Sequence, residues 1–355
     1  MRTKRMLAQG EGYYHVISRI AGQQFLMNAE EKNELMRLMA KIAVFSSVDV
    51  LTFALMDNHF HLLVKVPKAH EIDDAELIEK MRVLYGDAKT DRILNEWEVW
   101  DKRGLSFKGI DAREALRRRM FDLSQFCKTL KESYSMSYNL RHKHTGTIWG
   151  SRFKSVLLSP DYKTLMTVGA YIDLNPVRAG IVDDTGEYRW SGYGTSVRGN
   201  TLSRKGLRTL VAMAYSRRDV SFEVALEAYT LAIDGFIEIL TPEAADTPDV
   251  ACDKLEAKET VSREVKPHVF VREKVEAELA KGAKLSLFEM LRCKVRYFSS
   301  GLALGPASFV RGFMDALKPA KDTTRPCDCC EDVELYNARW LRGDAKVSVP
   351  KDRVA

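Results

Sequence analysis

The sequence predicts an α+β protein with an antiparallel sheet. Three N-terminal segments carry this pattern: an aromatic and β-branched run, an apolar helical repeat, and two apolar runs separated by turn residues. Strand, helix and hairpin in that order give a β-α-β-β opening, in which helices pack on an antiparallel sheet. The chain has 355 residues, 45% of them hydrophobic, so it is long enough for a core and for two domains.

The first strand and the first helix follow from local patterns. The segment "YYHVISRI", residues 13–20, is rich in aromatic and β-branched residues and roughly alternating, which predicts a strand. In residues 29–45, Leu35, Met39 and Ile42 recur at helical spacing. Acidic residues occupy the first turn of this predicted helix, where the helix dipole favours them.

The hairpin that follows carries two histidines. Residues 48–56 and 59–66 are apolar runs, and Asp57 and Asn58 form the turn between them. Side chains two apart in a strand point to the same side, so His59 and His61 project together. Two imidazoles on one face can bind a divalent cation if a third ligand is present, but such a pair can also be ordinary surface histidines.

A second helix is predicted to bring a tyrosine to the histidine pair. Ser159 and Pro160 fit the N-cap and the first position of a helix, and Pro176 ends it after Asn175. Tyr171 and Asn175 lie one turn apart, on a face that differs from the core stripe of the helix. They are either a phenol and an amide ligand beside a metal site, or a tyrosine at the rim of the core with a helix cap.

The middle of the chain concentrates positive charge. We interpret residues 73–108 as a charged insertion and predict one long helix over residues 111–139. Cations follow a nucleic-acid backbone and aromatic rings stack on unpaired bases. A solvated helix face and a buried tryptophan are the alternatives. The candidate DNA-binding residues are Arg117, Lys128, Lys131, Arg141, Lys143, Trp149, Arg152 and Lys154.

Three segments together resemble a known family. They are "MDNHFHLLVKVP", "GTIWGSRFKSVLL", and "YIDLNPVRAGIV" followed by "YRWSGY". Over residues 12–193 the chain resembles the REP-associated tyrosine transposases, a group of the HUH single-tyrosine transposases. The resemblance implies a ferredoxin-like fold, Tyr171 as the nucleophile, and His59, His61 and Asn175 as ligands of Mg²⁺ or Mn²⁺. It also implies an enzyme that cleaves and rejoins single-stranded hairpin DNA through a 5′-phosphotyrosine.

Other functions stay open at this point. The chain can be a hairpin-binding protein of transposase descent without strand transfer, or a metal-dependent phosphohydrolase in which Tyr171 is structural. His15 and Arg19 share the side of the first strand that can face the metal, although a structural role for them is equally consistent. The chain lacks a G-x-x-x-x-G-K-[ST] loop, in keeping with a reaction that hydrolyses no nucleotide.

The remaining sequence sets the expected organisation and location. We expect a catalytic domain over residues 1–200 with an insertion at 70–108, a helical extension at 201–240, and a linker at 241–267. A small helical module, with a possible helix-turn-helix, follows at 268–318, and then a flexible tail at 319–355. We expect a cytoplasmic protein, because neither a secretory signal nor a membrane segment is evident. We expect it to act as a monomer or homodimer.

Overall fold

The computed structural model describes residues 8, 10–214, 219–234, 291, 297–299, 301–317, 324–326 and 336–338. Short 3₁₀ turns lie at Ala21–Gln23, Thr185–Glu187 and Tyr297–Ser299. In chain order the other elements are β1 (Gly12–Arg19), α1 (Ala29–Ser46), β2 (Asp49–Leu55), β3 (His59–Val66), α2 (Asp74–Tyr85), α3 (Asp87–Lys102), α4 (Ser106–Arg117), α5 (Leu123–His142), β4 (Lys154–Leu158), α6 (Tyr162–Asp173), α7 (Asn175–Arg178), α8 (Gly192–Val197), α9 (Thr201–Ala214), α10 (Phe222–Ile233), β5 (Ala303–Gly305), α11 (Ala307–Leu317), β6 (Thr324–Pro326) and β7 (Tyr336–Ala338).

The first four strands have the topology of the ferredoxin-like fold. Strands β2, β3, β1 and β4 are neighbours in that order, and each adjacent pair is antiparallel. Helix α1 connects β1 to β2, and α5 is the last helix before β4, which completes a β-α-β-β-α-β arrangement. The predicted α+β class and ferredoxin-like sheet are confirmed.

Helices cover both faces of this sheet. Helices α1 and α5 pack on the face that carries Phe60 and Val16. Helices α6, α9 and α10 pack on the opposite face, with Leu63 and Val156. Because strand residues alternate between these two layers, both faces contribute to a core and the first strand is buried along nearly its whole length.

The predicted long helix over residues 111–139 is wrong, since two helices cover this region. Phe121 adopts a left-handed conformation with φ 53°, and its N–H donates to the carbonyl of Ser46 at 2.8 Å. Asp122 then caps the start of α5 by accepting from the N–H of Gln125. A tertiary hydrogen bond to α1 therefore separates α4 from α5.

The charged insertion forms its own small helical layer. Helices α2, α3 and α4 surround an apolar cluster that includes Leu77, Met81 and Trp97, and this cluster also contains Phe45 from α1. The insertion is thereby attached to the end of α1. No helix within the described residues is long and apolar enough to cross a membrane.

Helix α6 begins and ends differently from the prediction. Its cap is Asp161, which accepts from the N–H of Thr164, because the N–H of Ser159 is still bonded to the carbonyl of Leu304 in the sheet. The helix ends at Asp173, and Pro176 lies in the first turn of α7. A proline at that position starts a helical turn without losing a hydrogen bond.

The C-terminal region adds strands to the main sheet, so the predicted helical module and flexible tail need correction. Residues 303–305, expected to lie in a turn between two helices, form β5, which pairs parallel with β4. Helix α11 follows, and β6 and β7 extend the same sheet from within the expected tail. The linker at 241–267 and residues 268–290 and 292–296 of the expected module lie outside the described residues.

Asp173 is a buried carboxylate that connects several elements around α6. It is 0% exposed and accepts hydrogen bonds from the hydroxyls of Thr52 and Tyr229 and from the N–H of Tyr193. Burial raises the pKa of Asp173 to about 6, against the opposing effect of these hydrogen bonds. Strand β2 and helices α6, α8 and α10 therefore meet at one carboxylate.

The raised pKa of Asp173 predicts a pH-dependent stability difference. The pKa of Asp173 is higher in the folded chain than in the unfolded chain, so its protonated form stabilises the fold. This stabilisation is fully present below the unfolded pKa and is lost as pH rises through about 6. The quantity to compare is the difference between the free energies of unfolding of the wild type and of Asp173→Asn. We expect this difference, wild type minus variant, to fall by roughly 2 to 3 kcal/mol between about pH 4 and pH 7. Urea denaturation across this range measures the difference, and a flat or rising difference would contradict the assignment.

Candidate active site

The two strand histidines lie at the start of β3, beside the end of β1. Arg19 is opposite His59 and Ile17 is opposite His61 in the antiparallel register. The ring centroids of His59 and His61 are 5.1 Å apart. Residues opposite each other across strands share a face, so Arg19 and His15 lie on the histidine face, as their parity predicts.

A neighbouring amide fixes the ring of His59. The side-chain nitrogen of Asn58 donates to the carbonyl of Gln23 at 3.3 Å, so the other amide atom, Oδ1, faces His59. This oxygen lies 2.6 Å from Nδ1 of His59 and accepts its proton. The lone pair of His59 is therefore on Nε2.

His61 contacts a third imidazole that lies deeper in the protein. Its Nδ1 is 2.8 Å from Nε2 of His15, and Nδ1 of His15 is 2.7 Å from the carbonyl oxygen of Phe298. His15 is 0% exposed and His61 is 3% exposed. With Nδ1 engaged, Nε2 is the nitrogen that His61 can offer to a ligand.

All three imidazoles are neutral at physiological pH. Burial lowers the pKa of His15 to about 4, and burial together with the charges of Arg19 and Arg178 lowers the pKa of His59 to about 3. Burial first, and then the neighbouring histidines, holds the pKa of His61 well below its usual value. Neutral imidazoles are the form that binds metal ions.

Tyr171 lies against this histidine cluster. Its ring centroid is 6.4 Å from that of His61 and 6.1 Å from that of His15. The ring of Phe298 packs on it at 4.9 Å, and Tyr171 is 5% exposed. Tyr171 therefore does not lie at the rim of the core, as its helix position suggested, because the C-terminal segment covers it.

Arg178 is a site residue that the sequence analysis missed. Its guanidinium lies 4.0 Å from the ring centroid of Tyr171 and donates to the carbonyls of Tyr171 and Leu291, each at 2.6 Å. It is 4% exposed. The segment "NPVRAG" contains Arg178, but nothing in the local pattern showed that the chain would fold it back over the tyrosine.

Asn175 caps the end of α6 and still has an oxygen to offer. Its side-chain nitrogen donates to the carbonyls of Tyr171 and Ile172. The amide oxygen is therefore the atom left for a ligand. Within the described residues no group of three or more His, Cys, Asp or Glu can hold a metal ion. Among the described residues, the amide oxygen of Asn175 is the candidate for a third ligand beside His59 and His61.

Two of the predicted DNA-binding residues form ion pairs with carboxylates of this chain. Arg117 donates to the carbonyl of Ile72 and pairs with Asp74 and Glu114. Arg141 forms a two-bond ion pair with Glu31, which joins α5 to α1.

Trp149 is 7% exposed, and its ring packs against Phe60 and Tyr134 at centroid distances of 5.4 and 5.5 Å. Its buried ring offers no face to a base. Trp149 is therefore a buried core residue, which was the alternative to base stacking.

The other predicted cations fall into two groups. Lys128 and Lys143 are exposed on α5 and at its end, in the layer opposite the histidines, and Lys131 donates to the carbonyl of Ser151. Arg152 and Lys154 are exposed beside β1. Lys154 is opposite Ile17, so its side chain shares the face of His61 and Arg19.

The histidine-bearing part of the chain matches a known family. A sequence model described as "Transposase IS200 like" matches residues 8–85, which include β1, α1, β2 and β3 with both histidines. Residues 8–85 are thus similar to the IS200-like transposases. This match supports the transposase family predicted from the motifs, while Tyr171 and Asn175 lie beyond the matched segment.

A solved structure of a REP-associated tyrosine transposase bound to a REP hairpin is also similar to this chain. The two are 13% identical with a TM-score of 0.37, over 56% of this chain and 87% of that chain. No curated protein matches the sequence.

The contacts of Arg178 predict that it is required for stability. Arg178→Met removes donors from two buried carbonyls, and Arg178→Lys keeps the charge but cannot reach both of them. We expect both variants to lower the free energy of unfolding by about 2 kcal/mol or more in urea titrations. Arg152→Met, at an exposed position, should change it by less than about 0.5 kcal/mol. Wild-type stability of Arg178→Lys would show that the guanidinium bonds contribute little.

Proposed function

We propose that this chain cleaves and rejoins single-stranded hairpin DNA, with Tyr171 as the nucleophile. One observation carries the proposal. The ring centroid of Tyr171 lies 6.4 Å from that of His61, and the ring centroids of His61 and His59 are 5.1 Å apart on the same face. A phenol beside two neutral imidazoles is suited to attack on a phosphodiester that is held by a cation.

The reaction conserves the energy of the phosphodiester. The phenolate oxygen of Tyr171 attacks phosphorus, the bond from phosphorus to the 3′ oxygen breaks, and the leaving oxygen takes a proton from water. The product is a 5′-phosphotyrosine and a free 3′-OH. Attack of a 3′-OH on the same phosphorus reverses these steps and joins the strand. The guanidinium of Arg178 lies 4.0 Å from the centroid of the Tyr171 ring and brings a positive charge next to the proposed nucleophile.

The ligands proposed for a cation are Nε2 of His59, Nε2 of His61 and the amide oxygen of Asn175. A divalent ion at these atoms would polarise the phosphate and neutralise part of its charge. Imidazole ligands suit Mn²⁺ better than Mg²⁺, which prefers oxygen ligands. Mn²⁺ is therefore the ion to use in tests.

The proposed DNA path runs along the histidine face of the sheet. Arg19 is exposed and opposite His59, and the N–H of Gly150 donates to its carbonyl, which places the segment 150–154 next to this end of β1. Arg152 and Lys154 supply positive charge from that segment. Lys128, Lys131 and Lys143 can bind only DNA that extends around the sheet edge to α5.

A covalent adduct tests the nucleophile. The full chain is incubated with a labelled single-stranded hairpin and Mn²⁺, and a denaturing gel then resolves adducts. We expect an adduct with wild type and none with Tyr171→Phe. Tyr193→Phe, which removes a hydroxyl bonded to Thr230 outside the site, serves as the control and should keep the adduct. Nicking that survives Tyr171→Phe would instead support a phosphohydrolase.

One observation favours hairpin binding without strand transfer as the second candidate function. Phe298 packs on Tyr171 and leaves it 5% exposed, so this arrangement keeps the phenol away from a bound strand. Tight binding without an adduct, in wild type and in Phe298→Ala alike, would support this function. An adduct that increases in Phe298→Ala would show that the cover limits an active nucleophile.

The division of the basic residues predicts which of them bind phosphate. For a single-stranded oligonucleotide, each lost phosphate contact should reduce the slope of log K against log salt by about 0.7. The double variant Arg152→Ala and Lys154→Ala should therefore reduce the slope by about 1.4 in fluorescence anisotropy titrations. Arg117→Ala is the matched control, because its charge is already paired with Asp74 and Glu114. An equal effect of Arg117→Ala would contradict the proposed path.

A further inference from the structure

The buried imidazole of His15 is placed to decide which nitrogen of His61 carries a proton. Its Nδ1 is 2.7 Å from the carbonyl oxygen of Phe298, and its Nε2 is 2.8 Å from Nδ1 of His61. A carbonyl oxygen accepts hydrogen bonds and cannot donate them. The proton of the first hydrogen bond therefore belongs to Nδ1 of His15.

The direction of the second hydrogen bond follows from the neutrality of His15. The ring is 0% exposed, and the two groups bonded to its nitrogens, a carbonyl and an imidazole, are both uncharged. A buried imidazolium needs an anionic partner, so His15 carries only the proton on Nδ1. Its Nε2 accepts, and the proton between the two rings belongs to Nδ1 of His61. The lone pair of His61 is then on Nε2.

We propose that His15 is a positioning residue, which holds His61 as the Nδ1–H tautomer with Nε2 available to a divalent cation. The need for a cation rests on the proposed function, whereas the tautomer rests on the hydrogen bonds alone. Asn58 holds His59 in the same tautomer from the other side. Outer partners of this kind set both the tautomer and the ring orientation of ligating histidines.

The chain of hydrogen bonds ends on a residue far away in the sequence. His15 and Phe298 are 283 positions apart. The ring of Phe298 also packs on Tyr171, so one short C-terminal segment contacts the nucleophile through its side chain and the histidines through its carbonyl. The C-terminal segment therefore takes part in arranging the site.

Two measurements on the full chain test this proposal. Proton–nitrogen correlation spectra of metal-free protein with ¹⁵N-labelled histidine identify the protonated nitrogen of His61, which is assigned from the signals lost in His61→Gln. Calorimetric titration with MnCl₂ gives the dissociation constant. The variants are His15→Leu, which fills the space without hydrogen bonds, and His15→Gln, whose amide can accept from His61 and donate to Phe298. His144→Leu, at an exposed loop position, is the control.

We expect wild-type His61 to be protonated at Nδ1. In His15→Leu the proton should move to Nε2 and the dissociation constant for Mn²⁺ should rise by about 10-fold or more. His15→Gln and His144→Leu should keep the wild-type tautomer and affinity. Protonation of wild-type His61 at Nε2 would overturn the proposal even if His15→Leu fails to fold. An unchanged tautomer and affinity in a folded His15→Leu would also overturn it.

These outcomes are independent of DNA cleavage. A correct tautomer and weaker metal binding in His15→Leu, without any Tyr171 adduct in wild type, would leave the role of His15 intact and reject the strand-transfer function. An adduct together with wild-type His61 protonated at Nε2 would support strand transfer and reject the proposed role of His15.

Discussion

The register between β1 and β3 is the constraint on which the site depends. With Ile17 opposite His61 and Arg19 opposite His59, two histidines and an arginine lie on one face, and Phe60 enters the opposite core. A slip of β3 by one residue would turn its two histidines into that core and bring Phe60 to the face of the arginine. The apolar neighbours that fix this register are therefore as important to the site as the residues that carry its chemistry.

The sequence alone was sufficient for the elements whose signals are local. Alternation in β3, the turn at Asp57 and Asn58, and helical spacing in α1 predicted the β-α-β-β opening, and the histidine pair followed from strand parity. The approach of Tyr171 to His61 was also anticipated, from the combination of strand pair, helix end and family motifs. Each of these inferences needs only neighbouring residues or a recognised motif.

The features that were missed depend on contacts between distant segments. The break before α5 results from a bond to Ser46, and the late start of α6 results from the pairing of Ser159 with Leu304. Arg178 reaches Leu291, and His15 reaches Phe298, across more than a hundred positions. Charge counting likewise could not separate Lys154, on the histidine face, from Arg117, whose partners lie in the insertion.

The long-range bond between His15 and Phe298 also has a consequence for biosynthesis. A ribosome makes the chain from its N-terminus, so the histidines and the tyrosine emerge well before Phe298. Until Phe298 has been synthesised, Nδ1 of His15 cannot donate to its carbonyl and Tyr171 cannot pack against its ring. The arrangement seen in the structure is thus reserved for polypeptides that have been translated past Phe298.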